Sequence, residues 1–263
     1  MKIIRFITDQ GTIARGTGYD GETASLLEFD ISQGFQDTGN RVKVVTLLPV
    51  ASPPAVICIG LNYRRHAKET GLEMPKYPAV FMKNPGAVVG NNDAIVIPTC
   101  ASDPPEVDYE AELGVVIREP VKNVPEEQAL DYVLGYTCTN DISARRWQKH
   151  AGAGQWVKAK SFDTFCPCGP VLVTPDEVGD PQDLTIKCQV NGETMQNSHT
   201  SDMVAPVAKI ISYLSQSCTL LPGTLILTGT PEGVGFTRNP PVYLMPGDKV
   251  EVEIERIGVL ENK

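Results

Sequence analysis

The sequence predicts an α+β fold dominated by β-sheet, with a small N-terminal domain before a larger one. Short runs rich in Val and Ile recur at wide intervals, and the helical segments between them are few and short, which argues against a doubly wound parallel sheet. Ser52-Pro-Pro54 interrupts the chain after its first strands and predicts domains at 1–50 and 53–263. With 263 residues, 41% of them hydrophobic, the chain can bury a full core.

The predicted elements follow from hydrophobic periodicity and turn residues. In the N-terminal unit, strands are predicted over 2–8 and 42–48, around a polar stretch that contains glycines. Further strands are predicted over 55–60, 79–83, 94–97, 109–117, 135–140, 184–190, 224–228 and 248–256. Short helices are predicted over 63–70, 125–133, 142–149 and 204–215. Asn191-Gly192 is a dipeptide typical of a hairpin turn.

The predicted strand 109–117 contains two carboxylates in an unusual setting. Glu110 and Glu112 are separated by one residue, so their side chains share one face of the strand. The run from Leu113 to Ile117 is apolar on both faces, which is typical of a covered central strand. Neighbouring carboxylates there would be costly unless a cation compensated them, and the alternative is a strand whose polar face contacts water.

A third carboxylate follows the next predicted strand. Asp141 comes directly after 135–140 and is predicted to open a helix on which Arg145 and Gln148 share its face, at i+4 and i+7. An ordinary N-cap followed by a surface helix is the alternative. Three carboxylates without His or Cys suit a hard cation such as Mg²⁺, Mn²⁺ or Ca²⁺, with positions left for water and substrate.

His66 and Glu69 form a second candidate pair, on the predicted helix 63–70. At i and i+3 they meet on one face, where Glu69 can orient the imidazole and stabilise its charged form, as in a general base. The alternative is an incidental ion pair at a solvated helix start. The following stretch 71–78 is predicted to be a loop that covers the site.

Four ordered segments of the chain resemble the fumarylacetoacetate hydrolase superfamily. They are Asp108-Tyr-Glu-Ala-Glu-Leu-Gly114, Asn140-Asp-Ile-Ser-Ala-Arg145, 159–170 (AKSFDTFCPCGP) and 227–235 (LTGTPEGVG), and the closing stretch 246–258 also looks like this family. The match covers roughly 53–263. It looks closest to the small fumarylacetoacetate-hydrolase-domain proteins, which include acylpyruvate hydrolases, oxaloacetate decarboxylases and tautomerases, and hydroxyheptadienedioate isomerases.

The resemblance implies a mixed β-roll catalytic domain, a homodimer and Mg²⁺ held by Glu110, Glu112 and Asp141. The matching motifs also imply that His66, Glu69 and Lys160 are catalytic groups, with His66 and Glu69 on a lid over the substrate. They further imply that Arg145, Gln148 and Thr230 contact the substrate. Arg and Lys there suit a substrate carboxylate, since both can neutralise it. The chain departs from the family at Arg146, Cys168 and Ala159, where Asp, Leu and Gly are common, which leaves the substrate open.

The resemblance therefore predicts a Mg²⁺-dependent enzyme that acts on a 2-oxo acid or a 1,3-dicarbonyl compound through a metal-stabilised enolate. The main expectation is hydrolysis of a C–C bond in an acylpyruvate, with His66 and Glu69 activating water. Three alternatives remain: an oxaloacetate tautomerase or decarboxylase, an isomerase of the hydroxyheptadienedioate type, and a binding protein that kept the scaffold without the chemistry.

Composition narrows the partners and the compartment. A net charge of −9 without a basic patch argues against nucleic acid and anionic membranes. Seven scattered cysteines suit free thiols in a reducing compartment, and Cys166-Pro-Cys168 is interpreted as core packing instead of a redox or metal pair. Without an apolar signal segment or a run of about 18 apolar residues, secretion and membrane spanning are not expected, and the predicted location is the cytoplasm.

Overall fold

β-Sheet dominates the protein, as predicted for an α+β fold. The structure is a computed structural model that describes residues 1–31, 33–150 and 154–263. The strands of these residues are β1 (Lys2–Thr8), β2 (Ile13–Thr17), β3 (Thr23–Asp30), β4 (Gly34–Leu48), β5 (Val56–Gly60), β6 (Ala79–Lys83), β7 (Val88–Val89), β8 (Val107–Asp108), β9 (Ala111–Ile117), β10 (Val133–Asn140), β11 (Ser143–Ala144), β12 (Cys166–Val173), β13 (Thr185–Val190), β14 (Glu193–His199), β15 (Leu225–Leu227), β16 (Val250–Ile254) and β17 (Gly258–Asn262).

Short helices connect these strands. The α-helices are α1 (Arg64–Thr70), α2 (Arg145–His150), α3 (Trp156–Lys160), α4 (Pro175–Val178) and α5 (Val207–Ser215). The 3₁₀ helices of the described residues are Pro85–Ala87, Thr99–Ala101, Glu126–Tyr132, Thr200–Asp202 and Gly235–Thr237. No helix in the described part of the chain combines the length and the apolar character that crossing a bilayer requires.

Four predicted elements were wrong in detail. The strand predicted over 109–117 begins only at Ala111, and Tyr109 and Glu110 lie between β8 and β9. The segment predicted as an α-helix over 125–133 is the 3₁₀ helix Glu126–Tyr132. The helix predicted over 142–149 begins only at Arg145, because β11 first pairs with β8. The strand predicted over 94–97 is absent, and Ile95 N–H instead donates to Lys263 O at 2.7 Å. In the last two cases a long-range contact decides the local conformation, which a local pattern does not report.

The four N-terminal strands, β1 to β4, pair with one another in a closed circuit, and β1 joins them to the main sheet. β2 pairs with both β1 and β3, while β4 pairs with both β3 and β1. β1 also pairs with β12, so the order from β1 onward is β1-β12-β10-β9-β15-β5-β6. The division of the chain into domains at 1–50 and 53–263 stays a prediction.

β9 is the central strand that the apolar run predicted. Every residue of Ala111–Ile117 is buried, with β10 on one side and β15 on the other. Leu113 and Val115 pack in the largest core cluster, whereas Val116 packs in a second cluster on the opposite face. Gly114 keeps the sheet closely packed, because a Cβ there would lie 2.6 Å from Thr139 Cγ2. β9 is therefore packed against core residues on both of its faces.

A second sheet, ordered β14-β13-β16-β17, packs on this core. β13 and β14 form the hairpin predicted from Asn191-Gly192, with Val190 paired to Glu193. On β16 Val250, Val252 and Ile254 are buried while the intervening glutamates are not, which is the predicted alternation. Cys166 and Cys168 of β12 are buried in the second core cluster, which confirms their interpretation as core residues.

Candidate active site

The pairing of β9 with β10 brings three carboxylates together. Asn140, the last residue of β10, lies opposite Ala111, so Asp141, which follows it, comes beside Glu110, and the Asp141 N–H donates to Glu110 O at 2.9 Å. One carboxylate oxygen each from Glu110, Glu112 and Asp141 lies within 4.8 Å of the others, and all three residues are buried. The side chains singled out from the sequence thus form a buried acidic triad able to hold a divalent cation.

The three carboxylates of the triad differ in their cationic neighbours. Lys160 Nζ lies 2.8 Å from Glu110 Oε2 and 2.6 Å from Asp141 Oδ2. Burial alone would raise the pKa of Glu110, but Lys160 and Arg145 outweigh burial and lower it to about 2. The Glu112 carboxylate has no salt bridge among the described residues, and its Oε2 accepts a 2.6 Å hydrogen bond from Gly229 N–H. Burial, Asp141 and Glu110 together raise the pKa of Glu112 well above its usual range.

Lys160 is a buried residue at the end of α3 and not a surface lysine. Besides the two carboxylates, its Nζ donates to Ser143 Oγ at 2.7 Å. Burial would lower the pKa of Lys160, but the negative charges of Asp141 and Glu110 outweigh it and raise that pKa. The ammonium group therefore stays charged at neutral pH.

Lys83 is a buried cation at the triad that sequence analysis missed. Its Nζ donates to Asp141 Oδ1 and, at 3.2 Å, to Ile142 O. The residue ends the apolar strand β6, and a lysine at the end of an otherwise apolar strand was the available signal.

Arg145 lies near the triad, but it does not share a helical face with Asp141 as predicted. Asp141 precedes β11 and is not part of α2, so the expected i, i+4 relation with Arg145 is wrong. Arg145 Nε instead donates to Asp108 Oδ2 at 2.8 Å, and its Nη2 lies 2.7 Å from Glu110 Oε1. Its Nη1 donates to Gln148 Oε1 at 3.0 Å, so the predicted proximity of Arg145 and Gln148 holds.

Asp108 is a second residue that sequence analysis missed. Its two oxygens accept from four donors: Tyr109 N–H, Gly235 N–H, Phe236 N–H and Arg145 Nε. The carboxylate is fully buried, and it ties the 3₁₀ segment after the Gly-Thr-Pro motif to Arg145. The alternation of Asp108 with Glu110 and Glu112 was the signal that could have identified it.

His66 and Glu69 form the predicted pair on α1. His66 Nδ1 lies 3.2 Å from Glu69 Oε2, and Gly233 N–H donates to Glu69 Oε1 at 3.0 Å. Burial would raise the pKa of Glu69, but hydrogen bonds from His66, Thr237 and Gly233 outweigh it and lower that pKa. A charged Glu69 orients the ring through Nδ1, which leaves Nε2 as the nitrogen available for proton transfer.

Thr230 lies where the Gly-Thr-Pro motif meets β9. Its Oγ1 donates to Ala111 O at 3.0 Å and accepts from Gln196 Nε2 at 2.9 Å. Gln196, which sequence analysis also missed, accepts from Ala111 N–H at 2.9 Å and so braces the start of the same strand. No local pattern in β14 distinguishes this glutamine from a surface residue.

One cavity of about 570 Å³ collects most of these groups. All predicted site residues line it except Glu69 and Asp141, each of which contacts a residue that does. Leu72 and Pro75 of the predicted covering loop, with Phe81, Trp156 and Phe236, form its apolar wall. A concave apolar site with a few convergent polar groups is typical of a small-molecule enzyme site.

Comparison with known proteins shows the family of this chain. The model of the family described as "Fumarylacetoacetate (FAA) hydrolase C-terminal" matches residues 55–263. The chain belongs to the fumarylacetoacetate hydrolase family. A relative from Bos taurus, "Oxaloacetate tautomerase FAHD2A, mitochondrial", is 48% identical over 223 residues, which are 85% of this chain and 70% of that protein.

Solved structures of similar proteins share the fold of this chain over most or all of its length. A 5-carboxymethyl-2-hydroxymuconate delta-isomerase from Mycobacterium smegmatis is 36% identical, with a TM-score of 0.85 over 100% of this chain and 98% of that one. A fumarylpyruvate hydrolase from Pseudomonas aeruginosa, solved in complex with Mn²⁺ and pyruvate, is 31% identical, with a TM-score of 0.72 over 83% of this chain and 91% of that one. Relatives of this chain are thus tautomerases, isomerases and hydrolases, which confirms the expected family and fold.

Proposed function

We propose that this protein interconverts the keto and enol forms of a small 2-oxo acid of the oxaloacetate type. The observation that carries the proposal is the convergence of the His66–Glu69 pair, Lys160 and the acidic triad on one cavity. Tautomerisation needs a base at carbon, positive charge that stabilises the oxygen, and a proton for that oxygen, which water can supply. Among the reactions of the family, the choice rests on the tautomerase names of the relatives that are 46–48% identical.

The acidic triad fits a hard divalent cation, for which we propose Mg²⁺, with Mn²⁺ or Ca²⁺ as possible substitutes. Three carboxylates are a suitable donor set, and Glu112 lacks the cationic side-chain partner that Glu110 and Asp141 have among the described residues. Glu110, Glu112 and Asp141 would hold the ion. When bound, it would supply Lewis-acid polarisation of the keto oxygen of the substrate.

The proposed proton transfer uses groups of this chain. His66, oriented by Glu69, takes the proton from the carbon next to the keto group, and the electron pair of that C–H bond forms the C=C bond of the enol. Lys160 stays protonated, so its ammonium group stabilises the negative charge that develops on the oxygen. The oxygen then takes up a proton from water, and protonated His66 releases the proton it took from carbon to water, so the protons balance. Arg145, Gln148 and Thr230 contact the substrate in this proposal.

Hydrolysis of an acylpyruvate is the second candidate, favoured by the similar fumarylpyruvate hydrolase. In that reaction His66 would take a proton from water, and the water oxygen would attack the distal carbonyl before the C–C bond breaks. Both candidates use the same pair, so the residues alone do not separate them.

A direct assay separates the candidates. Purified protein with Mg²⁺ should accelerate the decay of the enol absorbance of oxaloacetate without release of carbon dioxide, and acylpyruvates should be cleaved slowly or not at all. Chelation should abolish the activity, and Glu112→Gln should weaken Mg²⁺ binding measured by calorimetry at least about tenfold. A protein that cleaves acylpyruvates and leaves enol decay unchanged would refute tautomerisation in favour of hydrolysis.

Assembly and location remain part of the proposal. We expect a homodimer, since closed two-fold assemblies are the commonest form of soluble oligomers. Sedimentation of a single 28.5 kDa species at micromolar concentration would contradict it. The predicted cytoplasmic location stands beside relatives whose names include "mitochondrial", and fractionation of the source cells tests it.

A further inference from the structure

Lys149 places on the cavity a positive charge that has no salt bridge to a carboxylate among the described residues. The residue lies one helical turn after Arg145 on α2, and both line the cavity. Lys149 Nζ lies 3.7 Å from the centroid of the Phe236 ring, which also carries the Arg145 guanidinium at 4.4 Å. In the part of the chain that the structure describes, no salt bridge joins Lys149 to a carboxylate.

This setting differs from that of the other cations at the cavity. Arg145 is engaged by Asp108 and Glu110, and Lys160 by Glu110 and Asp141. Partial burial and the nearby charge of Arg145 lower the pKa of Lys149, and they outweigh the opposing charges of Asp108 and Glu106. The aromatic ring positions the ammonium group, and its remaining N–H donors are free to bind an anion that enters the cavity.

We propose that Lys149 binds the distal carboxylate of a dicarboxylic 2-oxo acid and so selects dicarboxylates over monocarboxylates. This proposal rests on the proposed function, because it assigns the 2-oxo end of the substrate to the acidic triad and the other end to Lys149. Among the described residues, Lys149 is the cationic side chain lining the cavity that has no salt bridge, whereas Arg145 and Lys160 are each paired with carboxylates, so Lys149 is the group that an additional carboxylate would favour.

Lys149→Met tests the assignment. Methionine keeps an unbranched chain against Phe236 and a high helix propensity, but it removes the charge. Lys158→Met is the matched control, because Lys158 Nζ also lies over an aromatic ring, at 4.5 Å from the Phe162 centroid, yet the residue does not line the cavity. Kinetics with saturating Mg²⁺ should compare enol oxaloacetate with its 4-methyl ester, which lacks the distal charge.

Wild type and Lys158→Met should prefer oxaloacetate to the ester by about fivefold, the scale of a partly exposed ion pair. Lys149→Met should lose that preference through KM, with kcat within about twofold, and its KM should depend less on salt. A merely structural role would instead lower kcat or stability for both substrates. An unchanged preference in Lys149→Met would overturn the proposal.

A binding measurement separates this proposal from the proposed reaction. Calorimetry of malate and lactate, a hydroxydicarboxylate and a hydroxymonocarboxylate, needs no turnover. Wild type should bind malate more tightly than lactate by about fivefold, and Lys149→Met should bind them equally. If wild type fails to tautomerise oxaloacetate but shows this Lys149-dependent preference, the reaction is wrong and the carboxylate site stands. If the variant keeps the preference, the site is wrong whatever the reaction.

Discussion

Replacing Asp108 with Asn should destabilise the protein more than any exposed charge change. Asp108 Oδ1 accepts from Tyr109 N–H at 2.9 Å and Gly235 N–H at 2.8 Å, while Oδ2 accepts from Arg145 Nε at 2.8 Å and Phe236 N–H at 3.0 Å. An asparagine keeps one oxygen and turns the other position into an NH₂ group. When that NH₂ group takes the place of Oδ2, the charged Arg145 Nε and the Phe236 N–H face another donor instead of an acceptor.

The magnitude follows from the burial of the pair. The side chains of Asp108 and Arg145 are 0% and 3% exposed, and removing one partner of such a pair costs about 3–5 kcal/mol. Arg145 keeps Glu110 as an anionic neighbour, so the low end is expected, a loss of about 3 kcal/mol in the free energy of unfolding. That is a large share of the roughly 5–15 kcal/mol that stabilises a typical domain.

Urea unfolding followed by far-ultraviolet circular dichroism measures this loss, provided that the m-value is unchanged. Glu253→Gln is the matched control, since Glu253 lies 3.7 Å from Lys187 with side chains 51% and 36% exposed. Its expected cost is below about 1 kcal/mol. If Asp108→Asn loses no more than this control, the buried carboxylate does not organise Arg145 and the Gly235 segment as argued.

Three further predictions concern the base, a glycine and a thiol. His66→Ala should slow tautomerisation by about 10²-fold or more and Glu69→Gln by less, with Mg²⁺ affinity retained; an unchanged rate removes the pair from the mechanism. Gly229→Ala should cost about 1–3 kcal/mol in urea unfolding, because φ is +98° and the new Cβ would lie 2.7 Å from Asn62 Cβ; wild-type stability would refute the strain. Burial raises the pKa of Cys138 from 9.0 to about 12, so stability present below pH 9 should be lost as pH rises toward 12, and Cys138→Ala should reduce that slope.

Local periodicity predicted much of the candidate site. A helix brings i and i+3 together, so His66 and Glu69 had to meet. The apolar run after Glu112 likewise identified β9 as central. These are relations within one element, where backbone geometry alone sets the distances. Glu110 and Glu112 do come together in the triad, but Glu110 precedes β9, which begins at Ala111, so the predicted position of both on one strand was wrong.

Partners from distant parts of the chain were decided by the tertiary structure. Lys83 reaches Asp141 across 58 positions in the chain, and Asp108 reaches Gly235 across 127. The β9–β10 register, and not a helical face, brought Asp141 to Glu110. Two residues that share a face are fixed by one backbone period, whereas which cation compensates which buried carboxylate depends on how strands and loops pack. The sequence alone identified the three carboxylates and the His66–Glu69 pair, and packing decided which cations accompany them, because a buried charge is costly unless the fold brings a partner to it.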